Sequence, residues 1–126
     1  MRVYHKNINA QGIRVSANDG DKEVGRVFLY VLKNDLRPRP FGYLEDLFVD
    51  ANYRKQGIGT KLIEEAIRLA KTNKCYKIVA TSRHESENVH RLYKKIGFED
   101  FGKEFKMYLH NPNDPNSNPN DPNDFL

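Results

Sequence analysis

Residues Arg54–Gly59, RKQGIG, join two stretches of different character, and this join decides how the chain is organised. Before it, Phe41–Val49 is rich in apolar and aromatic residues and predicts a β-strand. After it, residues 57–72 carry apolar side chains at the spacing of one helix face. A basic turn with glycines that opens a helix offers unpaired backbone N–H groups and the positive end of the helix dipole. The join therefore predicts a polyphosphate site, with a simple tight turn as the alternative.

The common phosphate-binding fingerprints do not fit this join. Lys61 follows Gly59 and Thr60, but no glycine stands at the earlier position that a G-x-x-x-x-G-K-[ST] motif requires. A G-x-G-x-x-G motif is also missing from this stretch. The pattern R-x-x-G-x-G must therefore be interpreted together with the rest of the chain.

Length and composition predict a small cytoplasmic protein. A chain of 126 residues is expected to form one domain. Its single cysteine, Cys75, excludes an internal disulfide and fits a reducing compartment. The sequence has no apolar run of transmembrane length and no signal-peptide pattern at its start, so we expect no membrane partner.

The net charge of +4 suits an anionic cofactor and would also suit nucleic acid. The basic residues, however, do not form one block. Lys71, Lys74 and Lys77 flank the end of one predicted helix, and Lys94 and Lys95 lie near the end of another. We therefore interpret most of this charge as solvated surface and do not expect a nucleic-acid partner.

Hydrophobic periodicity gives the order of the elements. Asn18–Asp21 predicts a hairpin turn, and Gly97 is expected to cap the last helix. Antiparallel strands followed by a β-α-β unit predict an α/β fold with a mixed sheet. Strands are expected at 2–8, 12–18, 23–34, 41–49 and 77–81, helices at 57–72 and from Ser86 or Glu87 to Ile96, and a final strand pair at 98–101 and 104–109.

The end of the sequence differs in composition from the rest. The sequence of Asn111–Asn116, NPNDPN, recurs at Asn118–Asn123, and large apolar side chains return only at Phe125 and Leu126. Such a segment cannot bury enough surface to offset its ordering entropy. We predict a single domain at 1–110 and a disordered tail at 111–126, with a partner-binding tail as the alternative.

Two motifs resemble a known family. Glu45–Val49 followed by Tyr53–Thr60 is similar to the acetyl-CoA-binding motif of the GCN5-related N-acetyltransferase (GNAT) superfamily. Val89–Phe98, VHRLYKKIGF, is similar to the second family motif, A-H-x-x-Y-x-x-x-G-F. The resemblance covers roughly residues 23–109. It implies the acyl-CoA N-acyltransferase fold, a mixed and mostly antiparallel sheet flanked by helices, and an enzyme with acetyl-CoA as cosubstrate.

The resemblance also implies a reaction and a site. An acetyl group would pass from acetyl-CoA to a primary amine of a small molecule or protein, by direct attack in a ternary complex. Glu45 is the favoured base, with Asp46 or water as alternatives, and Tyr93 is the acid that protonates the thiolate. The strand 41–49 would splay from 77–81 to form a slot for the pantetheine arm. The cofactor-binding residues are expected to be Leu47, Phe48, Val49, Arg54, Lys55, Gln56, Gly57, Ile58, Gly59, Thr60 and Asn88.

Each of these side chains also has a structural interpretation. Glu45 could be a polar residue at a strand edge, and Tyr93 could be a core residue on an amphipathic helix. Strand alternation predicts that Glu45 shares a face with Tyr43, Leu47 and Val49. His90 is interpreted as structural or adjacent to the cofactor.

Other site chemistries find little support in the sequence. No metal site is expected, because His84 and Glu87 are too few ligands. Cys75 has no partner for covalent catalysis and is interpreted as a packed or semi-exposed residue.

The sequence also departs from the family pattern. Family members usually have two helices between their first two strands, whereas only about four residues separate the first two strand candidates here. We therefore expect the helix pair to be lacking and part of the acceptor wall to be missing or supplied by a partner subunit, which allows a homodimer. The alternative function is a non-catalytic acyl-CoA-binding or protein-interaction module of the same fold.

Overall fold

The computed structural model describes residues 1–109, and the predicted tail at 111–126 lies outside that range. Four strands form one sheet in chain order, with antiparallel pairing in the first two pairs and parallel pairing in the third. This mixed sheet with its helices confirms the predicted fold class. The elements are β1 (Ala10–Asp19), β2 (Lys22–Leu32), β3 (Phe41–Val49), α1 (Ile58–Thr72), β4 (Ile78–Ala80) and α2 (Glu87–Ile96).

Most predicted elements are confirmed, including the hairpin turn, where Asp19 pairs with Lys22. The strand predicted at 2–8 is wrong, because these residues are exposed and form no strand. The Lys6 ammonium instead lies 2.5 Å from the Asp35 carboxylate, beside the loop between β2 and β3. In the described range no helix precedes β1.

The final strand pair predicted at 98–101 and 104–109 is also wrong for this structure. Residues 99–109 form no helix or strand, and their side chains are exposed. Alternation of apolar and polar residues favours an extended chain, but a strand exists only where its backbone groups find a partner. The described fold provides this segment with no such partner.

Helix α1 covers one face of the sheet. Its buried side chains Leu62, Ile63, Ala66 and Ala70 follow the spacing of a single helix face. They form one core with the strand residues Val15, Val27, Leu29, Leu44, Leu47 and Val49. A Cβ at Gly25 would lie 3.1 Å from Leu62 Cδ1 and 3.2 Å from the Phe48 carbonyl oxygen. Glycine at this position therefore permits the close approach of the α1 side chains to the sheet.

A β-bulge in β3 changes which side chains share a face. Phe28 pairs with Glu45, and Arg26 pairs with Phe48, so one residue of β2 spans two of β3. Asp46 has a φ of 58°, a left-handed conformation that is unusual for a residue other than glycine. As a result Leu44 and Leu47 are both buried.

The bulge contradicts the face predicted for Glu45. Strand alternation placed it with Leu47 and Val49, but these two residues are buried while Glu45 is exposed. The extra residue inverts the alternation from Leu47 onward. Glu45 therefore lies on the opposite face from the buried residues of its own strand.

No helix in the part of the chain described here is long and apolar enough to cross a membrane.

We expect Ile63→Ala to lower the free energy of unfolding by about 2–5 kcal/mol, because its fully buried side chain packs between α1 and the sheet. The matched control is Glu64→Ala, whose side chain is exposed on the same helix. That control should change stability by less than about 0.5 kcal/mol. Urea unfolding monitored by circular dichroism measures both. Equal effects of the two substitutions would contradict the described core.

Candidate active site

Pairing between β3 and β4 is short, and this opens the sheet. Only Gly42, Tyr43 and Leu44 pair with β4, through Ile78, Val79 and Ala80. From Glu45 onward, β3 continues to pair with β2 but has no strand partner on its other side among residues 1–109. The backbone of Leu47–Val49 thus borders a gap at the carboxyl end of β3.

The loop after β3 is fastened to the β1–β2 hairpin. The Asp50 N–H donates to the Val24 carbonyl oxygen at 2.8 Å. The Tyr53 hydroxyl donates to Asp19 Oδ2 at 2.6 Å. Asp50 Oδ1 also accepts from the Asn52 N–H at 2.9 Å and so stabilises the 3₁₀ turn Ala51–Tyr53. These bonds fix the approach of the chain to α1.

The loop then turns sharply into α1. Lys55 has a φ of 62° and Gly57 a φ of 81°, and the helix begins at Ile58. Gly57 contributes no capping side chain, and the first turn of the helix contains no acidic residue. The positive end of the α1 dipole and its first N–H groups are therefore not offset by a local carboxylate.

The Arg54 guanidinium is held between the end of β3 and the start of α1. Arg54 Nε donates to the Val49 carbonyl oxygen at 3.0 Å, which ties the guanidinium to the end of β3. The Lys55 side chain is exposed beside it. The gap at β3, the N-terminus of α1 and two positive side chains thus lie together, an arrangement that favours an anionic ligand.

Helix α2 places a phenol close to β3. The Tyr93 ring lies 5.2 Å from the Phe98 ring, and the N–H groups of Gly97 and Phe98 both donate to the Tyr93 carbonyl oxygen. Gly97 has a φ of 127° and ends the helix as predicted. Burial, and secondarily the Tyr43 phenol, raises the pKa of Tyr93 to about 12.

The hydroxyl of Tyr93 is not fully enclosed. Among residues 1–109, every fully buried side-chain oxygen or nitrogen has a hydrogen-bond partner, and none is found for the Tyr93 hydroxyl. The residue as a whole is half-buried.

Tyr43 and Thr81 make a contact beside the gap that the sequence did not predict. Their hydroxyl oxygens lie 3.2 Å apart and join β3 to the segment after β4. This contact stands beside the last pair of the parallel register, Leu44 with Ala80. Only the parallel register brings the two side chains together, and no local pattern in the sequence reveals it.

The structure brings the expected loop residues Arg54–Thr60 next to Leu47–Val49. Leu47 and Val49 are buried in the core, so only their backbone can face a ligand. Phe48 lies on the other face, with the Arg26 guanidinium 4.8 Å from its ring centroid. Asn88 is exposed on α2, where it accepts a hydrogen bond from Arg91 Nη2.

The remaining candidates from the sequence are His90, His84 and Cys75. A ring nitrogen of His90 lies 2.7 Å from the Arg83 carbonyl oxygen, which fastens α2 to the preceding loop. His84 is exposed. Cys75 is half-buried, and burial raises the pKa of its thiol. Within the described range, no three His, Cys, Asp or Glu residues are grouped as a metal site would require.

Comparison with known proteins identifies the family. The profile of the family described as Acetyltransferase (GNAT) family matches residues 2–98. The chain therefore belongs to this family. It is 33% identical over 92 residues to N-alpha-acetyltransferase 30 of Xenopus laevis, covering 71% of this chain and 33% of the relative.

Two further proteins similar to this chain are also named as acetyltransferases. Glucosamine 6-phosphate N-acetyltransferase of Trypanosoma brucei brucei is 32% identical over 71 residues, which is 56% of this chain and 46% of that protein. A solved structure of a putative acetyltransferase from Agrobacterium tumefaciens str. C58 has a TM-score of 0.70 and 25% identity, and covers 75% of this chain and 66% of that one. The chain thus spans between a third and a half of the length of these two curated relatives.

The burial of Tyr93 predicts a loss of stability at high pH. An unfolded tyrosine ionises near pH 10, whereas Tyr93 stays neutral in the folded protein up to about pH 12. The stability associated with this group is therefore complete below pH 10 and falls as the pH rises through this window. Tyr93→Phe should lose less stability across the window than the native protein, as measured by urea unfolding.

The matched control is Tyr76→Phe, which removes the hydroxyl of an exposed tyrosine. It should retain the pH dependence of the native protein. If the stability of Tyr93→Phe depends on pH in the same way as that of Tyr76→Phe, ionisation of Tyr93 does not cause the loss of stability at high pH.

Proposed function

We propose that this protein transfers an acetyl group from acetyl-CoA to a primary amine, by direct attack in a ternary complex. The observation that carries the proposal is the gap where β3 leaves β4, with the basic N-terminus of α1 at its end. Tyr93 lies near Tyr43 on β3, close to this gap. Membership of the acetyltransferase (GNAT) family supports the same conclusion.

The cofactor would lie along the gap. The pyrophosphate would accept hydrogen bonds from the first N–H groups of α1 and from Arg54 and Lys55, because anions are favoured at a helix start. The pantetheine amides would pair with the backbone of Leu47–Val49, whose side chains are oriented by the core. Gln56 and Thr60 would contribute polar contacts at the rim, with Asn88 on the α2 side.

The acceptor amine must lose a proton before it attacks. For a lysine-like amine with a pKa near 10.4, the neutral form costs about 4.6 kcal/mol at pH 7. Glu45 is the proposed base, since its exposed carboxylate, on the face of β3 opposite the buried residues, can reach an acceptor that approaches from that side. Asp46 at the bulge, or a water molecule, remains the alternative proton acceptor.

Tyr93 would act as a neutral hydrogen-bond donor. Its pKa of about 12 keeps the phenol protonated throughout the physiological range. Full proton transfer to a free thiolate with a pKa near 8.5 would be uphill by about 5 kcal/mol. Tyr93 is therefore proposed to donate to the sulfur as the carbon–sulfur bond breaks, instead of ionising in a separate step.

The acceptor amine is inferred from the names of the relatives and from the exposure of Glu45. The relatives' names point to acetylation of an N-terminal α-amine or of a glucosamine 6-phosphate amine. The exposed position of Glu45 suits either a protein terminus or a small amine. We further propose a single domain at 1–110 that works in the cytoplasm, with the non-catalytic acyl-CoA-binding module as the alternative function.

Charge reversal at the loop tests cofactor binding. Arg54→Glu should weaken acetyl-CoA binding by at least about tenfold, because it replaces a phosphate-facing cation and its bond to the Val49 carbonyl oxygen. The control Lys33→Glu makes the same charge change in the loop at the far end of β3. Isothermal titration with acetyl-CoA measures both, and equal weakening would indicate a general charge effect.

Substitutions at Tyr93 and Glu45 separate binding from chemistry. Tyr93→Phe should lower kcat by about 10²–10⁴-fold with little change in acetyl-CoA affinity. Glu45→Gln should lower kcat near neutral pH, where the acceptor amine is mostly protonated and a carboxylate is needed to take its proton. Thiol release with an amine acceptor measures turnover. Tight acetyl-CoA binding without turnover of any amine would favour the non-catalytic module.

A further inference from the structure

Two positive side chains lie against aromatic rings where β3 and β4 begin. The Cζ atom of Arg37 lies 5.2 Å from the centre of the Tyr76 ring. The Lys77 ammonium lies 5.3 Å from the centre of the same ring and 5.4 Å from that of Phe41. Attraction between a cation and a ring face holds these long side chains in place. We call the group formed by Arg37, Phe41, Tyr76 and Lys77 the Tyr76 corner.

Backbone hydrogen bonds bring the parts of the Tyr76 corner together. The Tyr76 N–H donates to the Pro40 carbonyl oxygen at 3.0 Å, and the Gly42 N–H donates to the Lys77 carbonyl oxygen at 2.9 Å. These bonds join the loop between β2 and β3 to the start of β4. The two cations of the corner therefore come from segments that are distant in sequence, and their proximity depends on the fold.

The surroundings of the Tyr76 corner carry an excess of positive charge. Residues 33–41 and 74–78 contain five basic residues and one acidic residue, Asp35. The Asp35 carboxylate lies 2.5 Å from the Lys6 ammonium, a further cation from outside these two segments. Such a concentration of one sign of charge attracts an anionic partner.

A row of side chains leads from the Tyr76 corner to the proposed base. Phe41, Tyr43 and Glu45 alternate along β3 with Gly42 and Leu44, which are buried. The three residues of the row therefore lie on the face of β3 away from α1. Successive strand residues are about 3.3 Å apart, so the row is about 13 Å long. A ligand that follows this row would connect the corner with the proposed base.

Strand β2 adds aromatic side chains beside this row. Tyr30 pairs with Tyr43 in the register of the two strands. Phe28 pairs with Glu45 in the same register. Directly paired residues lie on the same face of a sheet, so these rings border the row. The Phe28 and Tyr30 rings are nearly parallel, at 13°, with their centres 6.4 Å apart. The row thus has a broad aromatic surface on which an extended peptide can lie.

We propose that the acceptor is a protein with an acidic segment close to its N-terminus, and that the Tyr76 corner binds this segment while the terminal amine lies at Glu45. This inference rests on the proposed acetyltransferase function and names its substrate class. An extended chain advances about 3.3–3.6 Å per residue, so a chain with its amine at Glu45 places its fifth residue near Phe41. Carboxylates at about the fifth to eighth residues would then meet Lys77 and Arg37.

The charges along the row favour a peptide over nucleic acid. Proteins that bind single-stranded nucleic acid usually stack its bases on aromatic rings. The exposed Tyr76 ring is instead contacted by two cations, which can pair with carboxylates. At the other end of the row, the Glu45 carboxylate repels a phosphate backbone and attracts a terminal ammonium group.

The Tyr76 corner is also separate from the proposed cofactor site. β3 runs from Phe41 to Val49, which is roughly 26 Å of extended chain. The Arg54 guanidinium is bonded to the Val49 carbonyl oxygen at the far end. Removing charge at the corner should therefore change the binding of the acceptor without changing that of acetyl-CoA.

Turnover of matched peptides tests the proposal. Two synthetic acceptors share a free α-amine and four uncharged residues, followed by four glutamates in one and four glutamines in the other. At saturating acetyl-CoA, thiol release should give a KM at least about threefold lower for the glutamate peptide. High ionic strength should remove this difference. Glutamates placed directly after the first residue should also lose the advantage, because they would lie beside Glu45 and short of the corner.

Substitutions at the corner test which residues cause the preference. Arg37→Gln with Lys77→Gln should raise the KM of the glutamate peptide to that of the glutamine peptide, with kcat and acetyl-CoA affinity unchanged. The control Lys94→Gln with Lys95→Gln removes two exposed charges from α2 and should keep the preference. Circular dichroism checks that both variants are folded. Equal KM values for the two peptides in the native chain, or a preference that survives the corner substitutions, would overturn the proposal.

Peptide binding distinguishes failure of this proposal from failure of the proposed function. Fluorescence anisotropy with a labelled glutamate peptide measures docking without turnover. Turnover of both peptides with the same KM would support the acetyltransferase function and overturn acidic docking. No turnover of any amine would contradict the proposed function and the acceptor role, even if the glutamate peptide binds through Arg37 and Lys77. Tighter binding of a uridylate RNA through the same two residues would assign the corner to nucleic acid and overturn the proposal.

Discussion

The end of pairing between β3 and β4 is the constraint on which the site depends. After Leu44 and Ala80 the two parallel strands no longer pair in the described structure. If pairing had continued, the backbone groups of Leu47–Val49 would be used within the sheet and unavailable to a ligand. The Tyr43–Thr81 contact stands beside this point and holds the two sides in a fixed relation. The gap therefore results from the end of strand pairing and not from a cavity in the core.

The bulge at Asp46 lets one strand serve two purposes. Before the bulge, Leu44 faces the core, and after it Leu47 and Val49 do so as well. The extra residue directs Glu45 away from α1 while the following segment stays anchored. Gly25 on the neighbouring strand admits Leu62 and Ile58 at this level, so α1 packs closely just where its N-terminus must meet β3.

Burial gives Tyr93 a different chemical character from that of a free phenol. A free phenol with a pKa near 10 is an acid only slightly weaker than a thiol with a pKa near 8.5. In the fold, the pKa of about 12 makes it a group that stays neutral and donates a hydrogen bond. The same sheltering makes the phenol costly to ionise, so its effect on catalysis would come from position more than from acidity.

Local patterns predicted much of the fold. β3 begins and ends as expected, α1 and α2 agree within a residue, and Gly97 ends α2, because periodicity and capping are properties of neighbouring residues. The basic turn before α1 was predicted for the same reason. The bulge at Asp46, the Tyr43–Thr81 contact and the unpaired segment after Phe98 were not, since each depends on which strands lie side by side.

The most direct test is to map the backbone amides that respond to acetyl-CoA by nuclear magnetic resonance of the ¹⁵N-labelled protein. The account predicts the largest shifts at Leu47–Val49 and at Ile58–Thr60, with smaller shifts around Tyr93 and none in the β2–β3 loop. Saturable shifts confined to the face that carries Arg14 and Phe28, or no shifts at saturating acetyl-CoA, would contradict the assignment of the gap as the cofactor site.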